Sequence, residues 1–269
     1  MINILSENNV KNGQIISKKQ LELLLSQDSA KIYEVIRVIE GKTVFLKEHF
    51  NRMNDSIRLS GIKGNLKYDD FKKSTEMLIG KNEFQNCNIR VSYYFNDEPV
   101  VLFYFVESYY PSQELFKAGI HTVTVKMHRF NPNIKAFAKE FKDNVQKVID
   151  ENKAFEAILI NEDNTVSEGS KSNVFFVSKE KLVTSPDAAV LLGVTRSKVI
   201  EVCKNDGIEV EKRIIKFEEL GNFDAAFITG TSNDVLPIKT INDIIYNSTE
   251  NKVVMKASQL YLNEMMKNR

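Results

Sequence analysis

Tryptophan is absent from the sequence, and cysteine, histidine and proline are scarce, at two, three and five residues. Cys87 and Cys203 stand far apart with no CxxC spacing, and His49, His121 and His128 show no i,i+4 pairing. That pattern argues against structural zinc or any other metal site and points to a reducing, cytoplasmic compartment. A surplus of charge is missing too: 37 Lys+Arg against 36 Asp+Glu leave +1. No global field then draws the chain to nucleic acid or to an anionic membrane. The aromatic run at 93–105 has no basic groove beside it and reads as strand core, not as a base-stacking platform. Long hydrophobic runs are lacking as well. The longest, VVLFYFV at 100–106, is strand length, and the opening MINILSENNVKNG has no signal h-region, so no membrane association is expected. Repeats, heptads and a Walker loop are likewise not found.

What is present is enough apolar sequence, 42%, for one large or two modest cores in 269 residues. The expected class is α+β. KIYEVIRVI, EGK and TVFL read as a hairpin over 31–46, followed by a helix in which Leu46, Phe50, Met53 and Ile57 form the apolar stripe. A second helix fits YDDFKKSTEMLIG, and the strands NIRVSYYF and VVLFYFV flank the turn NDEP. SYYPSQELFKAG reads as a linker, dividing a small domain, 1–112, from a larger one, 113–269. In the larger part the pattern predicts the strand HTVTVKM, a helix from about Lys135 to Asn152, and strands FEAILIN, NVFFVS and KLVTS. A helix stopped at Gly207, strands IEVEKR and DAAFITG, and a last helix over 252–266 follow.

Four segments carry possible chemistry. RFNPNIKAF sets Lys135 between Ile134 and the pair Ala136 and Phe137. Such a lysine either lies at the surface after all or has its pKa lowered for use as an amine, and a place at a helix start would favour the neutral form. In NTVSEGSKSNVFFV, Glu168 is followed by small hydroxyls and Asn173, which makes either a polar turn or a carboxylate able to keep a ring nitrogen protonated. LLGVTR and ITGTSND each offer glycine, threonine and exposed amides, as an ordinary turn or as a phosphate cradle. Arg52, off the apolar stripe, faces an anion or solvent.

Taken together, an amine, a carboxylate for a ring nitrogen and three phosphate-binding elements describe a pocket for pyridoxal 5'-phosphate. The order and wording of YEVIRV, GKTVFLKEHFNRM, NPNIK, EAILINEDNTVSEGSKSNVFFV, LLGVTR and ITGTSNDVLPI resemble the class-IV aminotransferases. These fold-type IV enzymes include branched-chain and D-amino-acid aminotransferases and aminodeoxychorismate lyase. The resemblance implies a small α+β domain and a larger pseudo-barrel domain with the cofactor between them, in a homodimer. It implies Lys135 as the Schiff-base lysine and Glu168 as partner of the pyridine nitrogen. Arg52, Val194, Thr195 and Thr231 would grip the phosphate, and Tyr33, Arg37, Arg90 and Ser232 would border the substrate. The expected activity moves an amino group between an amino acid, branched-chain-like, and a 2-oxo acid; the alternative is aminodeoxychorismate lyase, which releases pyruvate and 4-aminobenzoate.

The family pattern also discriminates. The D-amino-acid enzymes trap a carboxylate with an arginine and histidine shortly beyond the small-domain strand, where this chain reads YYFNDEPV. Glu34 and Val35 follow Tyr33, in place of the threonine that marks some lyases. The glycine-rich lead-in common before the YE motif is replaced by QDSAKI.

Overall fold

A computed structural model describes residues 3–26, 32–95 and 98–269. Residues 27–31 and 96–97, which carry most of QDSAKI and half of the NDEP turn, lie outside that description. The chain forms two compact units: the first contains residues 1–109, 134–137 and 265–269, and the second contains 110–133 and 138–264.

The first unit holds β1 (Asn8–Lys11), β2 (Gln14–Ser17), α1 (Lys18–Leu25), β3 (Ile32–Ile39), β4 (Lys42–Thr43), α2 (Leu46–Leu59), α3 (Tyr68–Gly80), β5 (Cys87–Phe95) and β6 (Pro99–Val106). Its six strands form one antiparallel sheet in the order β2-β1-β6-β5-β3-β4. β3 shows the cause of its own placement. Ile32, Glu34, Ile36 and Val38 are buried and alternate with half-buried Tyr33, Val35, Arg37 and Ile39. The apolar members of the first set pack with Phe50, Met53 and Ile57 of α2, so the helical and the strand periods meet in one core. The expected hairpin is shorter than its sequence suggests. β4 ends at Thr43, Phe45 takes a left-handed φ of 52°, and α2 begins at once, while the main partner of β3 is β5.

The second unit holds α4 (Gln113–Ala118), β7 (Ile120–Lys126), α5 (Lys139–Glu151), β8 (Glu156–Ile160), β9 (Val166–Gly169), β10 (Asn173–Ser178), β11 (Lys181–Thr184), α6 (Val194–Asn205), β12 (Val210–Lys212), β13 (Ala225–Gly230), β14 (Asp234–Ile241), β15 (Ile244–Ile245) and α7 (Lys252–Lys267), whose last residues belong to the first unit. The expected linker thus contains a helix: the Ser112 side chain accepts from Leu115 N–H, and Gly119 stops the helix at φ 74°. The sheet runs β12-β11-β10-β13-β14-β7-β8-β9, with β15 on β14. Its β7–β8 and β14–β7 pairs are parallel, and α5 makes the β7–β8 crossover, burying Val145 and Ile149 against Val123, Ala157 and Leu159. The sheet curls until its last strand meets the chain just past its first: Val166 N–H donates to Ile215 O at 2.9 Å, and Thr165 bridges Lys216. This closure is the pseudo-barrel. Among the described residues no helix is long and apolar enough to cross a membrane.

Candidate active site

Lys135 does not start a helix. Residues 134–137 are held as a short extended stretch beside β3: Tyr33 N–H donates to Lys135 O at 3.0 Å, Ala136 bridges Ile32, and Lys135 N–H donates to Ser56 Oγ at 3.2 Å. Ala138 is still extended, and α5 begins only at Lys139. The helix-dipole argument for a neutral Lys135 therefore fails, because the pairing with β3 pulls the segment out of helical geometry. What surrounds the amine is different. Its Nζ lies 4.9 Å from the centre of the Tyr33 ring, and the guanidinium of Arg90 lies 4.0 Å from the same ring.

Strand register explains the company. Tyr33 pairs with Ser92, Val35 with Arg90 and Arg37 with Asn88, so Tyr33, Val35, Arg37 and Arg90 share one face of the sheet. Next to Arg90 on β6 stands Tyr104, whose hydroxyl meets Ser92 Oγ at 2.9 Å. Burial pushes the Tyr104 phenol up, only partly opposed by Arg90.

The opposite face of β3 carries Glu34 into the α2 core, and there it defines Arg52. Arg52 is neither at the surface nor alone. Its Nε donates to Glu34 Oε1 at 2.7 Å and its Nη2 to Glu34 Oε2 at 2.6 Å, a bidentate pair, while His49 Nδ1 stands 2.8 Å from Oε2. Burial alone would raise the Glu34 carboxyl, but the charge of Arg52 and the bonds from His49 and Arg52 outweigh it and bring it to about 2. His49 is pushed down by burial, with Arg52 and Lys135 adding to that and Glu34 opposing it. A neutral His49 then donates its Nδ1–H to Glu34.

In the second unit Glu168 lies within β9, fully walled in, not on a polar turn. Its Oε2 accepts from Leu191 N–H at 3.0 Å and from Asn173 Nδ2 at 3.2 Å. Its Oε1 is 3.0 Å from Arg129 Nε, a charge contact rather than an aligned hydrogen bond. Arg129 also donates to Ser170 O at 2.8 Å and lies 5.1 Å from the Phe141 ring. The turn after Glu168 is tied from beneath by buried Glu156, which accepts from Ser170 Oγ at 2.6 Å, Ser172 Oγ at 3.1 Å and Lys171 N–H at 3.2 Å.

Val194 and Thr195 open α6, whose N-cap is Gly193 and whose first amides receive no side-chain cap. An uncapped helix start with a buried threonine in its first turn is suited to a phosphate. Thr231 and Ser232 follow β13 in a tight turn, where Asn233 N–H donates to Gly230 O at 3.1 Å. Two residues before Thr231, the Thr229 hydroxyl is buried with no hydrogen-bond partner in its surroundings; its register partner is Asn173. That orphan hydroxyl, the uncapped amides and the Glu168 carboxyl group are the donor and acceptor types that pyridoxal phosphate requires, so the residues present fit the group.

The structure therefore sets Tyr33, Arg37 and Arg90 on one sheet face with the Lys135 amine by the Tyr33 ring, ties Arg52 to Glu34, and joins Glu168 to the 191–193 loop. Sequence reasoning did not find Glu34, Glu156 or Arg129. Glu34 and Glu156 each signal themselves as a lone carboxylate inside an apolar alternation or run, and Arg129 as a cation ahead of NPNIK. Among the described residues no group of His, Cys, Asp and Glu is placed to hold a metal.

A family model, amino-transferase class IV, matches residues 31–241. The Thermotoga maritima protein named "Probable branched-chain-amino-acid aminotransferase" is 31% identical over 222 residues, covering 79% of this chain and 77% of its own. The D-alanine aminotransferase of Bacillus licheniformis is 29% identical over 248 residues, 86% of this chain and 87% of its own. Among solved structures, the branched-chain amino acid aminotransferase of Thermobaculum terrenum in its PLP-form superposes at TM-score 0.82 and 21% identity, covering 99% of this chain and 95% of that one. A Legionella pneumophila structure that carries a 4-amino-4-deoxychorismate lyase name reaches 0.79 at 19% identity, covering 90% and 93%. The curled sheet and these superpositions show that this chain has the fold of those structures. The chain belongs to the class IV aminotransferases.

Proposed function

We propose that this aminotransferase takes the amino group of an L-branched-chain amino acid and passes it to a 2-oxo acid. The observation that carries the reading is the sheet face bearing Tyr33, Val35, Arg37 and Arg90, with the Lys135 amine 4.9 Å from the Tyr33 ring centre. Guanidinium groups suit a substrate carboxylate, and the tyrosine ring with Val35 offers apolar surface to a branched aliphatic side chain. The names of several relatives point to the same substrates.

Bound pyridoxal phosphate supplies the electron sink for bond breaking at the substrate Cα. Lys135 would be the amine that holds it covalently and the base that takes the proton from the Cα of the amino donor and, in the second half of the cycle, gives one to the Cα of the amino acid formed from the 2-oxo acid. Glu168 would keep the ring nitrogen protonated, with Arg129 Nε standing 3.0 Å from its Oε1. Arg52, the amides of Val194 and Thr195, the Thr195 hydroxyl and Thr231 hold the phosphate. Tyr33, Arg37, Arg90 and Ser232 border the substrate, and the enzyme works as a cytoplasmic homodimer.

The second reading is aminodeoxychorismate lyase on the same apparatus. Glu34 and Val35 following Tyr33, where some lyases carry a threonine, favour transamination. The near-visible spectrum, recorded before and after L-leucine, L-valine, L-glutamate and D-alanine separately, tests both. Conversion to the pyridoxamine form by the branched-chain amino acids, with equimolar 2-oxo acid, is expected. Conversion by D-alanine alone overturns the substrate assignment, and a spectrum that no amino acid alters, with 4-aminobenzoate formed from aminodeoxychorismate, establishes the lyase.

A further inference from the structure

We infer that Asn173 is a positioning residue that locks together the two ends of the cofactor grip, the carboxylate for the ring nitrogen and the helix start for the phosphate. The inference rests on the roles proposed above for Glu168, Val194 and Thr195. Asn173 is the first residue of β10 and is 5% exposed. One amide nitrogen serves both directions: Nδ2 donates to Glu168 Oε2 at 3.2 Å and to Leu191 O at 2.8 Å. Leu191 N–H returns to the same Glu168 oxygen at 3.0 Å, so Glu168, Asn173 and Leu191 close a three-membered ring of hydrogen bonds. Leu191 O also accepts from Gly193 N–H at 2.8 Å, which carries the linkage to the N-cap of α6.

The other side of the amide reaches the same cap. A Cβ placed on Gly193 would stand 2.1 Å from Asn173 Oδ1. The backbone of Gly193, at φ −60° and ψ 136°, is open to any residue, so its lack of a side chain answers to Asn173 and not to a torsion angle. An asparagine is the side chain that does this. Aspartate would set a third acceptor against Glu168 and Leu191 O, and leucine of similar size would donate to neither.

The test uses the full chain freed of cofactor and measures binding of three probes: inorganic phosphate, which reports the phosphate grip without the ring; pyridoxal, which reports the ring and its aldehyde without the phosphate; and pyridoxal phosphate. Asn173→Ala is expected to weaken phosphate and pyridoxal each by about tenfold or more, since one donor holds both partners. Gly193→Ala is expected to weaken phosphate in the wild-type background and to change little when added to Asn173→Ala, because the clashing oxygen is gone. A loss confined to one probe, or an equal Gly193→Ala effect in both backgrounds, overturns the coupling. The suppression shows that the two residues act through one contact, and the joint loss of phosphate and pyridoxal is what a residue supporting the helix start alone would not give. If Asn173→Ala fails to fold, Gly193→Ala alone decides: weakened pyridoxal as well as phosphate supports the inference, and weakened phosphate alone overturns it. Glu168→Ala with unchanged pyridoxal binding, or Thr195→Val with unchanged phosphate binding, identifies the underlying roles as the fault, and the inference falls with them.

Discussion

Replacing Glu34 by glutamine removes a carboxylate whose burial is complete and whose two oxygens hold Arg52 and His49. A drop from 4.5 in the unfolded chain to about 2 in the fold corresponds to about 3 kcal/mol of stability at neutral pH, at 1.36 kcal/mol per pH unit. That agrees with the roughly 3–5 kcal/mol usual for breaking a buried pair from one side. The sign follows from the depressed value. The contribution is fully present above pH 4.5 and is lost as pH falls toward 2, where protonated Glu34 no longer differs from glutamine in charge. His49 acts in a higher window: its lowered pKa makes the fold lose stability as pH drops below the ordinary 6.5, so the Glu34 term is read below 4.5. Urea unfolding of wild type and Glu34→Gln from pH 7 to pH 2 measures the gap directly. A gap of about 3 kcal/mol at pH 7 that narrows below pH 4.5 is expected; a gap under about 1 kcal/mol, or one that does not narrow, refutes the reasoning.

Lys135→Ala should abolish the borohydride-reducible link to the cofactor while exposed Lys139→Ala keeps it, and peptide mapping of the reduced protein that finds the label on another lysine sinks the assignment. Arg129→Gln leaves Glu168 without its nearest cation and should lower kcat by about tenfold or more with KM little changed; an unaltered kcat removes Arg129 from the site. The Cys203 thiol, buried and pushed up to about 12 by burial and by Asp206, should resist iodoacetamide at pH 8 until the protein unfolds, and native labelling at the rate of a free thiol would contradict its placement.

The strands and helices with clean periods were legible. β3 alternates as IYEVIRVI says it should, and α6 stops at Gly207, whose φ is 88°. β14 was not, because Pro237 sits in its middle and reads as a break; next to it the register with β7 shifts between Ile238 and Thr240. Lys135 was singled out by its apolar neighbours, and the helix start also read for it is absent: backbone pairing with Tyr33, more than a hundred residues earlier, sets its conformation. The partners of Arg52 and Glu168 were hidden for the same cause, since Glu34 and Arg129 meet them only after the sheets form. Local pattern singles out candidate groups, and nonlocal pairing decides which charges stand beside them.

The curled sheet of the second unit closes through Val166 and Ile215, residues that stand far apart along the chain. Such a contact carries a loop-closure cost, as the β10–β13 pairing does over a similar stretch of chain. Until it forms, the edge of β9 and the stretch at 215–216 present unpaired backbone groups to any neighbouring chain. Refolding yield should therefore fall as protein concentration rises, and a kinetic phase sensitive to substitutions at Val166 should mark the moment at which the molecule stops being sticky.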